Sequence, residues 1–94
     1  MTNSNNSKNI QNLFSAFTEI ESFDEIKEFL NDLWSTDELK EFANRWNVAN
    51  MLSNGISYSQ ITEQTGMSSA TIARISKCLN RENSGYQTIL NKIK

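Results

Sequence analysis

The chain has 94 residues, enough for one domain, and 37% of them are hydrophobic, so it can form a core. No run of about 18 apolar residues occurs, which excludes a membrane-spanning helix, and the polar start carries no signal-peptide pattern. With one cysteine, Cys78, and no histidine, an internal disulfide, a Cys/His zinc site and a histidine base are excluded. We therefore expect a cytoplasmic protein without metal or cofactor.

The charges are distributed unevenly along the chain. Residues 1–65 carry four basic and ten acidic side chains, a net charge of −6, whereas residues 66–94 carry five basic side chains and one acidic, a net charge of +4. Phosphates respond to a local face rather than to the overall charge, so the acidic total does not exclude nucleic-acid binding. Chance imbalance among solvated helix faces would give the same distribution.

Residues 1–8 are rich in Asn and Ser, which predicts a disordered N-terminal arm before a helical domain over residues 9–94. A first helix is indicated by apolar residues at helical spacing, namely Ile10, Leu13, Phe14 and Phe17. Ser22 and Glu25 have capping-box spacing, which predicts the start of a second helix. The apolar face of that helix consists of Phe23, Ile26, Phe29, Leu30 and Leu33.

A third helix is predicted to begin at Ser35 or Thr36 and to end before Gly55, a residue suited to a left-handed C′ position. Its apolar stripe consists of Leu39, Phe42, Ala43, Trp46, Ala49 and Leu52. Seven large rings on the first three helices are more than such short helices can readily hide within one subunit. We therefore expect a homodimer, with a compact monomeric bundle as the alternative, and we interpret Trp34 and Trp46 as core residues.

Residues 57–79 have the form of a helix-turn-helix. Ser57 and Gln60 predict a capped fourth helix to about Gln64, and Gly66 permits a sharp turn. Ser68 or Ser69 then caps a fifth helix over residues 70–79. The packing between the two helices would use Ile61, Met67, Ile72 and Ile75. A sixth helix would carry Tyr86, Ile89, Leu90 and Ile93.

The fifth helix opens with small and hydroxyl-bearing residues, which suit a helix N-terminus in the major groove of DNA. Arg74 and Lys77 follow one and two turns later. On such a helix we favour DNA contact for both residues. The alternative is that both lie on a solvent-exposed helix face without a DNA contact, since such a face has the same pattern of charged residues.

The stretch from Leu39 to Leu79 resembles the Trp repressor superfamily, most closely its YerC/YecD branch. The residues that match the family are Arg45-Trp46, Val48-Ala49, Met51-Leu52, Gly55, Ser57-Tyr58, Ile61, Thr65-Gly66, Ala70-Thr71-Ile72, Arg74 and Leu79. The resemblance implies an all-α, six-helix fold that forms an intertwined homodimer through its first three helices and its last. It also implies a palindromic operator in double-stranded DNA, read by helix 69–79. The residues implicated in DNA binding are Tyr58, Ser59, Thr62, Ser68, Ser69, Ala70, Thr71, Ala73, Arg74, Lys77, Arg45 and Arg81.

The same resemblance places an effector pocket beside the reading helix. The matching positions are Ser35, Arg45, Thr71, Arg74, Ile75 and Cys78. Ile75 replaces a glycine of the Trp repressor and should fill the slot for an indole, so we expect that tryptophan is not the ligand. Tyr58-Ser59 replace Gln-Arg of the Trp repressor, which lowers the expected affinity for phosphate.

These observations predict a sequence-specific transcriptional regulator, a repressor, that reads the major groove as a homodimer. The alternative is a protein-interaction module that retains the fold without binding DNA. An enzyme is not expected, because neither a reactive Cys constellation nor a phosphate loop is present. Three residues have two possible roles each. Arg45 can pair with Glu41 or contact a phosphate or ligand, and Cys78 can be a packing residue or a redox sensor. Tyr58 can contribute to helix packing or contact a phosphate.

Overall fold

The computed structural model describes residues 2–93, and the side chains of residues 6–93. The described residues form six α-helices and no strand, which confirms the all-α prediction. The helices are α1 (Thr2–Thr18), α2 (Phe23–Leu33), α3 (Thr36–Ser53), α4 (Tyr58–Thr65), α5 (Ser69–Asn80) and α6 (Gly85–Ile93). They fall into two compact units, a first unit of residues 1–36 with α1 and α2, and a second unit of residues 37–94 with α3 to α6.

The first helix begins earlier than the sequence predicts. Residues 2–8, predicted as a disordered arm, belong to α1, while Met1 lies outside the described residues. Asn and Ser are weak helix formers rather than helix breakers, and neither Gly nor Pro interrupts this segment. The helix that contains Ile10 and Leu13 therefore extends back through the polar residues.

The first unit buries its rings only in part. Phe17 packs edge-to-face on Phe29 with ring centroids 5.5 Å apart, and its centroid lies 6.4 Å from that of Trp34. In contrast, Phe14 is 56% and Phe23 is 74% exposed, and α2 has no buried residue. Large apolar rings therefore remain on the surface of this unit.

Side-chain caps set the starts of the helices largely as predicted. The Ser22 hydroxyl accepts a hydrogen bond from the Glu25 amide at 3.1 Å, but the Glu25 carboxylate accepts from the amide of Glu21 rather than that of Ser22. Ser57 and Gln60 form the complete capping box at the start of α4. Local sequence alone is enough to specify such caps, because donor and acceptor are three residues apart.

Both predicted helix ends at glycine adopt the left-handed conformation. Gly55 has φ +80° and Gly66 has φ +74°. After α3, the amide of Ile56 donates to the carbonyl of Met51, and the amide of Gly55 donates to the carbonyl of Leu52, each at 3.0 Å. This is a Schellman motif, in which a left-handed residue satisfies the last carbonyls of the helix.

The core of the second unit consists of aliphatic side chains from α3, α4 and α5. Its buried cluster comprises Val48, Ala49, Ile61, Ile72 and Ile75. Val48 is fully buried although it lies off the stripe predicted for α3, whereas Phe42 is 38% exposed and Ala43 is exposed. Near the end of α3 the buried face therefore includes Val48 as well as Ala49, because residues of α4 and α5 pack against both.

Candidate nucleic-acid interface

The pair α4 and α5 forms the predicted helix-turn-helix. Ile61 is the buried residue of α4, and Ile72 and Ile75 are buried on α5. Met67, in the turn, packs against the same cluster. All four residues predicted to hold the two helices together therefore do so.

Thr65 is the last residue of α4. Its hydroxyl donates to the carbonyl of Ile61 at 2.7 Å and accepts from the amide of Met67 at 3.1 Å. A hydroxyl with both partners satisfied can be half-buried at little cost. Thr65 thus fastens the turn that precedes α5.

The start of α5 is fixed by a small hydroxyl network. The Ser68 side chain accepts from the amide of Thr71 at 3.2 Å, and the two hydroxyls lie 3.0 Å apart. Ser68, Ser69 and Ala70 are exposed, and Thr71 is half-buried. The N-terminal turn of α5 is therefore ordered and accessible, as a helix that enters a groove requires.

One face of α5 is buried and the opposite face is exposed. Ile72, Ile75 and Leu79 are buried against the rest of the second unit. On the other side, four exposed residues share one face at helical spacing, namely Ala70, Ala73, Arg74 and Lys77. We call these four residues the reading face. It combines two small side chains near the helix start with two cations further along.

The remaining residues predicted to contact DNA are accessible as well. Ser59, Thr62 and Arg81 are exposed, Tyr58 is 41% exposed, and Arg45 is half-buried. None of the predicted contact residues is buried. Their contact with DNA stays a prediction.

Arg45 forms an ion pair with Glu41, which is one of the two roles that the sequence allows for it. Its Nη2 lies 2.9 Å from Oε1 of Glu41, one turn earlier on α3, and its guanidinium lies 5.9 Å from the centroid of the Phe42 ring. The side chains of Arg45 and Glu41 are 40% and 61% exposed. Exposed pairs of this kind contribute only about 0–1 kcal/mol, so the pair does not prevent Arg45 from meeting a phosphate.

A cavity of about 190 Å³ lies beside α5. Its lining residues are Arg45, Thr71, Arg74, Ile75, Cys78 and Tyr86. Five of the six residues predicted for an effector pocket therefore meet at one place. Ser35 is not among the lining residues and belongs to the first unit, so its part in a pocket stays a prediction.

Tyr86 is the lining residue that sequence reasoning missed. It was assigned only to the apolar face of α6, yet its ring stacks on Trp46 with centroids 6.3 Å apart and an interplanar angle of 26°. The two residues are 40 positions apart in the chain. No local spacing relates them, and only the packing of the second unit shows the pair.

A second cavity, of about 290 Å³, lies in the first unit. Its lining combines the apolar residues Ala16, Ile20 and Phe29 with the acidic residues Glu19, Glu25, Glu28 and Asp32. The four acidic side chains disfavour phosphate there. Within residues 2–93, no group of three or more His, Cys, Asp or Glu side chains could hold a metal ion. No helix in that range is long and apolar enough to cross a bilayer.

The fold and this site define an all-α protein with a helix-turn-helix. Residues 8–94 match the family model described as "Trp repressor protein", and the chain belongs to the Trp repressor family. It is similar to the uncharacterized protein YerC of Bacillus subtilis (strain 168), with 36% identity over 87 residues that cover 93% of this chain and 84% of that protein. It is also similar to the crystal structure of a TrpR-like protein from Eubacterium eligens ATCC 27750, with a TM-score of 0.82, 32% identity and coverage of 92% of this chain and 89% of that one. The family and its fold are those of regulators rather than enzymes.

Proposed function

We propose that this protein is a sequence-specific DNA-binding transcriptional regulator, a repressor that works in the cytoplasm. The observation that carries the proposal is the reading face of α5. Ala70 and Ala73 are small enough for close approach to base edges, while Arg74 and Lys77 can reach bases or phosphates. Ser69 and Thr71 supply hydroxyls at the same end of the helix.

Phosphate contacts would position the reading face on the duplex. Arg45, Arg74, Lys77 and Arg81 are the cations that remain accessible around it. On α4, the hydroxyls of Tyr58, Ser59 and Thr62 can donate to phosphate oxygens but add no charge. We therefore expect weaker electrostatic binding than a more basic fourth helix would give.

A homodimer would supply two such reading faces. The exposed rings of Phe14 and Phe23 support a second copy as the group that covers the first unit, as do Ile10 (50% exposed) and Ile26 (41% exposed). Large exposed apolar patches on soluble proteins mark interaction sites. Two reading faces related by a two-fold axis would read a palindrome with half-sites about one helical turn, roughly 34 Å, apart.

We expect that tryptophan does not regulate this protein. Ile75 is 4% exposed and lines the cavity that an effector would enter. The cavity of about 190 Å³ is smaller than the roughly 300–1,000 Å³ typical of small-molecule sites. Titration calorimetry with L-tryptophan should therefore show no heat of binding, whereas a micromolar dissociation constant would contradict the expectation.

The proposal is tested by selecting bound sequences from random DNA and then measuring affinity against salt. We expect a palindromic site bound by two protomers, with affinity that falls steeply as salt rises. Lys77→Ala removes one phosphate contact per protomer. The negative slope of log K against log [salt] should therefore become less steep by about 2. Lys40→Ala removes the same charge from an exposed position outside the interface and should leave the slope unchanged.

Two results would contradict the proposal. One is a selection that enriches no sequence. The other is an equal effect of Lys77→Ala and Lys40→Ala, since it would mean that α5 does not lie on DNA. Failure of the selection together with a stable heterocomplex in pull-downs would favour the alternative, a protein-interaction module built on this fold.

A further inference from the structure

Tyr86 joins three helices of the second unit around the reading helix. Its ring stacks on Trp46 of α3 and packs against the core cluster that contains Ile72 and Ile75 of α5. It also forms part of the wall of the cavity that Thr71 and Arg74 line. One aromatic side chain from α6 thus lies where α3 and α5 face each other.

The start of α6 is built to hold this ring in place. Ser84 is buried, and its hydroxyl accepts from the amide of Gln87 at 3.2 Å. The carbonyl of Ser84 accepts from the amide of Thr88 at 3.0 Å. Asn83 adopts φ +59°, which turns the chain sharply between α5 and α6. Tyr86, at the second position of α6, is therefore fixed at its backbone as well as at its ring.

The Tyr86 ring lies close to the part of α5 that carries the reading face, which connects it with DNA binding. Thr71 and Arg74 line the cavity beside Tyr86, and Arg74 also belongs to the reading face. A small rotation of α5 towards an empty space would move the reading face relative to a groove. The Tyr86 ring forms one wall of that space and packs against the core cluster that contains Ile72 and Ile75, so it limits such a rotation, because closely packed interiors resist deformation.

We propose that Tyr86 is a positioning residue for the reading helix: its ring braces α5 against α3, so that this protein binds DNA without a small-molecule ligand in the cavity. The proposal rests on the proposed DNA-binding function. Tyr86 itself contacts no DNA in it. The chain supplies the brace from its own sixth helix.

The experiment compares Tyr86→Phe, Tyr86→Leu and Tyr86→Ala in the full chain, with Gln87→Ala as a control on the same helix. Affinity for the selected DNA site is measured by fluorescence anisotropy, with and without p-cresol. Hydrogen exchange of the free protein reports on α5 and α4 separately. Circular dichroism and thermal melting identify variants that remain folded.

We expect Tyr86→Phe and Gln87→Ala to keep wild-type affinity, because the ring and not the hydroxyl acts as the brace. Tyr86→Leu and Tyr86→Ala should weaken DNA binding about tenfold, as a change in coupling without loss of a DNA contact does. Exchange should accelerate in α5 but not in α4. Millimolar p-cresol should restore affinity in Tyr86→Ala by filling the space left by the ring, and should not affect the wild type.

The proposal is overturned if folded Tyr86→Leu or Tyr86→Ala binds DNA as the wild type does, or if p-cresol fails to restore a folded Tyr86→Ala. Equal acceleration of exchange in α4 and α5 also overturns it, since that would show a general structural role. If Tyr86→Ala does not fold, Tyr86→Leu decides by affinity and exchange. If the wild type binds no DNA, the proposed function fails, while the exchange data still test whether Tyr86 braces α5.

Discussion

Ala70→Glu is expected to abolish specific DNA binding while the protein stays folded. Ala70 is exposed at the second position of α5, on the reading face. A carboxylate there would face base edges and phosphates, and loss of one base-pair contact in a half-site costs about 1–3 kcal/mol. Two half-sites per dimer give a loss of about 2–6 kcal/mol, or roughly 30-fold to 10⁴-fold in affinity.

The same substitution should not harm the helix. An acid in the first turn of a helix is favoured by the helix dipole by about 0.3–1 kcal/mol, and α5 has none there. The thermal melting temperature should therefore equal or slightly exceed that of the wild type. Asn44→Glu makes the same change of net charge at an exposed position of α3 and should keep DNA affinity. Equal losses from both variants would mean that overall charge, and not the reading face, governs binding.

Ile61→Ala is expected to have the largest effect on stability. Ile61 is fully buried between α4 and its neighbours and belongs to the core cluster of the second unit. Truncation of such a side chain leaves a cavity and costs about 2–5 kcal/mol. For a domain of this size each kcal/mol lowers the melting temperature by about 4–8 °C, so the fall should be at least ~8 °C in a thermal melt.

Thr62→Ala is the matched control for this measurement. Thr62 is the next residue of the same helix, and its side chain is exposed. Its truncation should change stability by no more than about 0.5 kcal/mol. Melting temperatures that fall equally in the two variants would show that α4 does not pack through Ile61, and would contradict the core described above.

Much of the fold was predictable because it depends on neighbours in the chain. Ser22, Ser57 and Ser68 cap their helices through residues three positions later, and Gly55 and Gly66 end theirs by the conformation only glycine adopts freely. The buried residues of α5 follow from helical spacing alone. The start of α1 at Thr2 was not predicted, because composition does not reveal that a polar segment can extend an adjacent helix.

The candidate site was predictable in its residue types more than in its geometry. The resemblance to the Trp repressor superfamily supplied Arg45, Thr71, Arg74, Ile75 and Cys78, and these residues do line one cavity. Their contacts with DNA or an effector remain predictions. The ion pair of Arg45 with Glu41 could be anticipated, since the two residues lie one helical turn apart.

By itself the sequence determined the number of helices, most of their limits, the turn at Gly66 and the separation of α5 into an apolar and a polar face. All of these depend on periodicity or on interactions over three to five residues. Tertiary structure alone decided that Val48 turns inward and that Tyr86 stacks on Trp46. Both depend on side chains brought together from distant parts of the chain, so neither helical period nor local hydrogen bonding specifies them.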